Sequence, residues 1–187
     1  MPSPIPVRLT PHDPRWAEQA SVEAARVVEA PRPALVRVHH IGSTAIPGIA
    51  AKPVLDLLGV AASAAALDAL KAGMQKLGYV AHGEFGLVGR RYFTLTDEDT
   101  GKRRIQLHCY AEGDPAIARH LAFRDHLRAR SELAAAYERE KIRCARIHPE
   151  DSHAYTDCKG AWIRRVEAEA LAFAAPPPGR ELTAPSS

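Results

Sequence analysis

A single acidic residue, Asp56, interrupts the apolar run Val54-Leu55-Asp56-Leu57-Leu58, and the turn Gly42-Ser43-Thr44 precedes it by a short crossing of small residues. Backbone N–H groups and hydroxyls at such a strand-to-helix turn suit phosphate oxygens, and a carboxylate on the neighbouring strand completes a layout for a phosphate-bearing ligand. Lys52, in Lys52-Pro53, adds a cation between the two. The plainer reading is a tight turn between two core strands, since a lone Gly-Ser pair is a weak motif. Asp56 argues against it. A strand apolar on both sides is buried on both faces, where an unpartnered carboxylate is costly.

The elements that must position these residues follow from periodicity. Strands are predicted over 36–41 and 54–60, flanking the Gly-Ser turn. Ser63 caps a helix running to about Leu77, with Leu67, Leu70, Met74 and Leu77 at helical spacing, and Gly78 closes it. A short strand is expected over 79–82, then strands over 91–96 and 103–110 joined by a loop at 97–101. Upstream, 5–9 reads as an edge strand tolerant of proline. A helix follows from Pro14, with Trp16, Ala20, Val27 and Val28 on its apolar face, ending in a turn at 31–33. Downstream the pattern turns helical, over roughly 115–129, 131–147 and 151–173. The sum is one α+β domain over 1–175, a mixed sheet with packed helices and a helical C-terminal third. The segment 176–187 is Pro-rich and aperiodic, and disorder is expected there.

Composition sets outer limits. The chain has 187 residues, 46% hydrophobic and 25% charged, which is ordinary globular composition. A net charge of +3 gives no strong nucleic-acid signal. Arginine dominates the basic residues and suits bidentate contact with phosphate or carboxylate, though Arg with high Ala also follows from a GC-rich genome. Cys109, Cys144 and Cys158 are odd in number and lack metal-type spacing. Reduced thiols and a cytoplasmic setting are therefore expected. The N-terminus has no signal-peptide pattern, and no apolar run approaches the ~18 residues of a membrane span.

Several blocks together resemble the GrpB family (UPF0157), which is placed in the nucleotidyltransferase-like fold. They are His40-Ile41-Gly42-Ser43-Thr44-Ala45-Ile46-Pro47-Gly48, Ala51-Lys52-Pro53-Val54-Leu55-Asp56, Gly89-Arg90-Arg91-Tyr92-Phe93, Leu107-His108 and Phe123-Arg124-Asp125-His126-Leu127-Arg128, followed by Tyr137 with Lys141 and Tyr155 with Lys159. The resemblance spans roughly residues 6–170. Domains of this type also occur fused behind dephospho-CoA kinases, which points toward nucleotide or CoA metabolism.

The resemblance implies a phosphate cradle at Gly42, Ser43 and Thr44, and a first metal-type carboxylate at Asp56. Polymerase-β-like transferases put a second acid two residues on, because alternate strand residues face the same way. Leu58 stands there instead. Where a third acid is wanted, the later strand offers Gln106 and His108. Mg²⁺ or Mn²⁺ is accordingly expected only together with a phosphorylated ligand.

Lys52, Arg90, Arg91, Arg124, Arg128, Lys141 and Lys159 are the implied phosphate-binding cations. Arg124 and Arg128 lie at i,i+4, where like charges repel unless an acid or anion intervenes. Lys141 and Lys159, each four residues after a Tyr, would be solvated surface charges without the family pattern. His39 and His40 point to opposite faces of their strand. His40 and His108 with Asp56 could serve as an acid/base pair or as one Zn²⁺ or Mn²⁺ site. Cys109, alternating with His108, is expected in the core.

Two functions remain open at this point. One is group transfer on a nucleotide, CoA-like or other anionic small molecule, with Asp56 and His108 as catalytic candidates and no complete acid triad. The other is a degenerate transferase fold that only binds such a ligand.

Overall fold

A computed structural model of the chain describes residues 4–29 and 35–174. The expected turn at 31–33 and tail at 176–187 lie outside the described residues. The elements are α1 (Arg15–Glu29), β1 (Leu35–Ile41), a short 3-10 turn (Ser43–Ala45), β2 (Leu55–Ala61), α2 (Ala64–Lys76), β3 (Val80–Ala81), β4 (Arg91–Thr96), β5 (Arg103–Ala111), α3 (Pro115–Arg128), α4 (Ser131–Ile147) and α5 (Ser152–Ala174). This is the α+β pattern anticipated, with shifts of a residue or two at most ends.

The strands form one mixed sheet in the order β1-β2-β5-β4-β3. β2 pairs parallel with β5, placing Asp56 beside Gln106 and Leu58 beside His108. β1–β2, β4–β5 and β3–β4 are antiparallel. On one face Leu55, Leu57, Ile105, Leu107, Cys109 and Phe93 form the main core with Trp16, Ala20 and Val27 of α1 and Leu67, Leu70 and Met74 of α2. Cys109 is free and buried there, as its alternation with His108 predicts. The other face carries Asp56, Leu58, Gln106, His108, Tyr110 and Tyr92, and the C-terminal helices lie on this side, with Ile117 and Leu121 of α3 packing on Leu58 and Tyr110.

Local chemistry fixes the helix starts. Ser63 Oγ accepts the Ala66 N–H at 3.1 Å. Asp114 Oδ1 accepts that of Ala116 at 2.8 Å, with Pro115 beginning α3. Each satisfies an amide that the first helical turn leaves unpaired.

Two expectations are corrected. Residues 5–9 form no strand; Val7 donates its N–H to Pro149 O at 2.8 Å, and only Thr10 forms a bridge, with Ala51. Prolines at 4 and 6 remove the alternate donors a ladder would need, so the segment is strung across the start of the C-terminal helices instead. The thiols are not all reduced either. Packing of α4 on α5 brings the Cα atoms of Cys144 and Cys158 to 5.8 Å, within disulfide range, and the two are bonded. Among the described residues no helix is long and apolar enough to cross a membrane.

Candidate functional site

The turn and the carboxylate are built as one piece. Gly42 has φ +69°, a conformation that favours glycine, and a Cβ there would lie 2.4 Å from Asp56 Oδ2. β1 and β2 thus deliver the Gly-Ser turn directly onto Asp56. The carboxylate is 30% exposed, so it opens to solvent rather than lying within a sealed strand.

His108 faces Asp56, with Nε2 at 3.7 Å from Oδ1. Its Nδ1 stands 3.2 Å from Arg90 Nη1. A guanidinium only donates, so Nδ1 must accept and the neutral ring carries its proton on Nε2, aimed at Asp56. Arg90 itself is 6% exposed and also donates to Glu84 O at 3.1 Å and Phe85 O at 2.7 Å. Its guanidinium lies 4.8 Å from the centre of the Tyr92 ring.

The remaining arginines are committed elsewhere. Arg124 donates to His40 O at 3.1 Å and pairs with Asp125 at 2.7 Å. Arg128 donates to Ala45 O at 2.7 Å. The i,i+4 pair therefore ties α3 to the backbone of the Gly-Ser turn, with Asp125 neutralising one member. Thr44 is buried and meets His40 Nε2 at 2.9 Å, so its hydroxyl is spent inside the turn. Burial, with Arg128 nearby, pushes the His40 imidazole down to about 4. Arg91 departs from expectation. Strand alternation puts it on the opposite face from Arg90, where its Nε bonds Asp68 of α2 at 2.9 Å, away from Asp56.

The lysines gather instead. Ser43 Oγ donates to Tyr137 OH at 3.3 Å. Lys141 Nζ lies 4.9 Å from the centre of the same Tyr137 ring and donates to Ala50 O. Lys52 and Lys159 place Nζ 5.5 Å and 4.6 Å from the centre of the Tyr155 ring. Lys141 is only 1% exposed, while Lys52 and Lys159 are half-buried. Burial, reinforced by the charge of Lys159, pushes the Lys141 ammonium down to about 7 and also lowers that of Lys52. Burial opposes the Lys159 charge too, but Tyr137 and Tyr155 outweigh it and hold its pKa above the usual lysine value. Asp56 acts favourably on both Lys52 and Lys159.

Sequence reasoning named Tyr137 and Tyr155 beside their lysines but gave them no role, and it passed over His120 and Arg103. Tyr137 and Tyr155 are the ring walls on which the lysines rest, and the repeated Tyr-x-x-x-Lys spacing is the signal, since i,i+4 residues meet on one helix face. His120 of α3 lies 5.9 Å, ring to ring, from His108; its Nε2 is buried without a partner, and burial pushes its pKa down to about 3. Arg103 has a buried, unpartnered Nε, and its charge acts on Lys52. No sequence pattern marks either.

A pair of divalent metals does not fit these donors. Asp56 is the only acid of the expected set. Leu58, at the second position, is fully buried against Ile41, Tyr110 and α3, so a carboxylate there would displace core packing. Gln106 and His108 occupy the third, and His108 Nδ1 is engaged by Arg90. Among the described residues no three His, Cys, Asp or Glu side chains stand together as a metal site. Two surface hollows lie elsewhere, one along α4 at Arg139, Arg143 and Arg146, the other beside Asp68 and Arg91.

The mixed sheet, with its Gly-Ser turn at the carboxylate-bearing strand, agrees with the nucleotidyltransferase-like fold that the family resemblance implies. The structure of Cid1 in complex with its short product ApU is similar, with a TM-score of 0.51 and 12% identity over 74% of this chain and 43% of that one. More specifically, the chain belongs to the GrpB family, whose model, described as GrpB protein, matches residues 6–169. The crystal structure of conserved protein GrpB from Enterococcus faecalis superposes with a TM-score of 0.81 and 36% identity, covering 89% of this chain and 98% of that one. UPF0157 protein YqkA of Bacillus subtilis is 38% identical over 164 residues, 88% of this chain; the match spans 47% of YqkA's length.

Proposed function

We propose that this chain binds a phosphorylated small molecule, nucleotide or CoA-like, where the Gly42-Ser43-Thr44 turn, β2 and the α4–α5 face meet, and that it transfers a group on that ligand without a carboxylate-held metal pair. The close fit of Gly42 on Asp56 carries the reading, because it brings a phosphate-type turn and the one carboxylate of that sheet face to a common point. Ser43 and the lysines hold the anionic part. Asp56 then takes a proton from, or orients, the attacking group. His108 acts as a positioning residue, its Nε2–H steering Asp56 while Arg90 fixes the ring. The ApU product named for the Cid1 complex supports a nucleotide as the first candidate ligand.

Thermal-shift screening of nucleotides, CoA species and phosphosugars tests this. Ser43→Ala should remove the stabilisation by the ligand found. Asp56→Asn should fold with unchanged or higher stability, since the carboxylate already opens to solvent, and should lose turnover followed by ³¹P NMR of ligand plus acceptor. A loss of about 3 kcal/mol in Asp56→Asn with intact binding would make Asp56 a structural ion partner and end the reading. The burial of Leu58 at the second acid position favours one rival, a binding module without turnover. Equal ligand binding with no product from wild type would decide for it.

A further inference from the structure

We infer that Lys52, Lys141 and Lys159, gathered on Tyr137 and Tyr155, are the counter-charge for a linked phosphate pair of the pyrophosphate type, so that such a group binds this chain without a divalent metal. The inference rests on the phosphate-ligand reading above and adds how the ligand's charge is neutralised.

Three observations carry it. First, the lysines lack acidic partners. Among the described residues every ion pair within 4.0 Å uses arginine or histidine, and none uses lysine. Buried or half-buried charges are ordinarily paired, yet here three cations crowd together and oppose one another. Second, the clustering is selective. The chain holds six lysines; Lys71, Lys76 and Lys102 are exposed on the surface, and the other three meet at this one place. Third, the cluster adjoins the phosphate-type turn through the Ser43–Tyr137 hydrogen bond, so an anion reaching from Ser43 enters it directly.

The chemistry suits a diphosphate better than a single small anion. Lys141 Nζ is held at Ala50 O beside the Tyr137 ring, while Lys52 and Lys159 stand over the neighbouring Tyr155 ring. Within the cluster the charges are therefore spread along two rings rather than set at a single point. Ammonium groups are compact charges with rotatable donors and can meet phosphate oxygens from several directions. In metal-dependent transferases a carboxylate-held ion supplies this neutralisation. Here Leu58 closes off the second carboxylate, and the fixed ammonium groups stand in that role.

Isothermal titration of the full chain with inorganic pyrophosphate, in EDTA and in excess MgCl₂, tests the inference. Binding in EDTA should be at least as tight as with Mg²⁺. Lys159→Gln and Lys52→Gln should each weaken it tenfold or more, while Lys102→Gln, which removes the same charge from the exposed hairpin, leaves it unchanged. Should Lys159→Gln fail to fold, the half-buried Lys52 carries the comparison. Binding that appears only with Mg²⁺ overturns the inference, as does wild-type affinity in both Lys159→Gln and Lys52→Gln. If those variants bind normally while Ser43→Ala loses binding, the lysine assignment falls and the phosphate-ligand reading stands. If pyrophosphate, ATP and CoA all fail to bind in either medium, both fall.

Discussion

Two sets of cations flank Asp56, and they are employed differently. On one side Arg90, Arg124 and Arg128 are consumed by the protein itself, donating to the carbonyls of Glu84, Phe85, His40 and Ala45 and to His108. On the other, Lys52 and Lys159 rest on an aromatic ring with Asp56 acting on them only from beyond ion-pair distance, and Lys141 donates to a carbonyl. The difference teaches that positive charge near a candidate site has two meanings. A planar guanidinium with its donors filled is a brace, whereas an ammonium over a ring without an ion pair keeps charge that the proposed anion would use.

The sharpest way to break that contrast is Arg90→Ala. A buried guanidinium with three hydrogen-bonding partners should cost about 3 kcal/mol of stability, read by urea denaturation, because the loop carbonyls and His108 lose their donor. If the folded fraction still binds pyrophosphate normally, the brace role is confirmed; a binding loss with unchanged stability would merge the two sets.

Lys141→Met should behave in the opposite sense. The Lys141 ammonium is lowered from its ordinary 10.5 to about 7. The unfolded chain therefore binds more protons between those values, and wild-type stability rises with pH through that window. The variant lacks this dependence. After losing the bond to Ala50 it should still exceed wild type by on the order of 1 kcal/mol at pH 6, with the advantage gone by pH 10. Melts across that range decide it, and a variant less stable at pH 6 than at pH 10, relative to wild type, would refute the buried-charge account.

A smaller effect is expected from His120→Phe. With its pKa held near 3, His120 stays neutral in the fold while the unfolded ring protonates at about 6.5. Wild-type stability should thus fall as pH drops below 6.5 and keep falling toward 3. The phenylalanine variant should flatten this limb by about 1 kcal/mol at pH 6. An unaltered acid limb would place the sensitivity in His40 instead.

Much of this was legible in the sequence. An unbroken apolar run marks β2, and alternation puts Gln106 and His108 on one face of β5, but only the family resemblance set that face beside Asp56; the parallel register then places Asp56 next to Gln106. Arg91 was grouped with Arg90 although alternation allows only one of them on that face; what the sequence could not say was which. The edge strand at 5–9 failed because its partner, Pro149, lies at the far end of the chain. Lys141 and Lys159 looked like solvated charges because burial on α4 and α5 depends on how those helices pack. The Cys144–Cys158 pairing was hidden for the same reason, since no local pattern records which helix faces meet.

That pairing has a consequence for measurement of length. Cys158 immediately precedes Lys159, and Cys144 follows Lys141 by three residues. A helix sliding along its neighbour moves by 1.5 Å per residue, enough to change the spacing between Lys141 and Lys159. The covalent bond forbids the slide. It closes a loop with a sequence separation of 14, a constraint worth about 3 kcal/mol by chain entropy, and it also acts as an index pin between two rulers. The spacing of Lys141 and Lys159 is set when the two sulfurs join, and a chain with free thiols would carry the same charges on an unpinned scale.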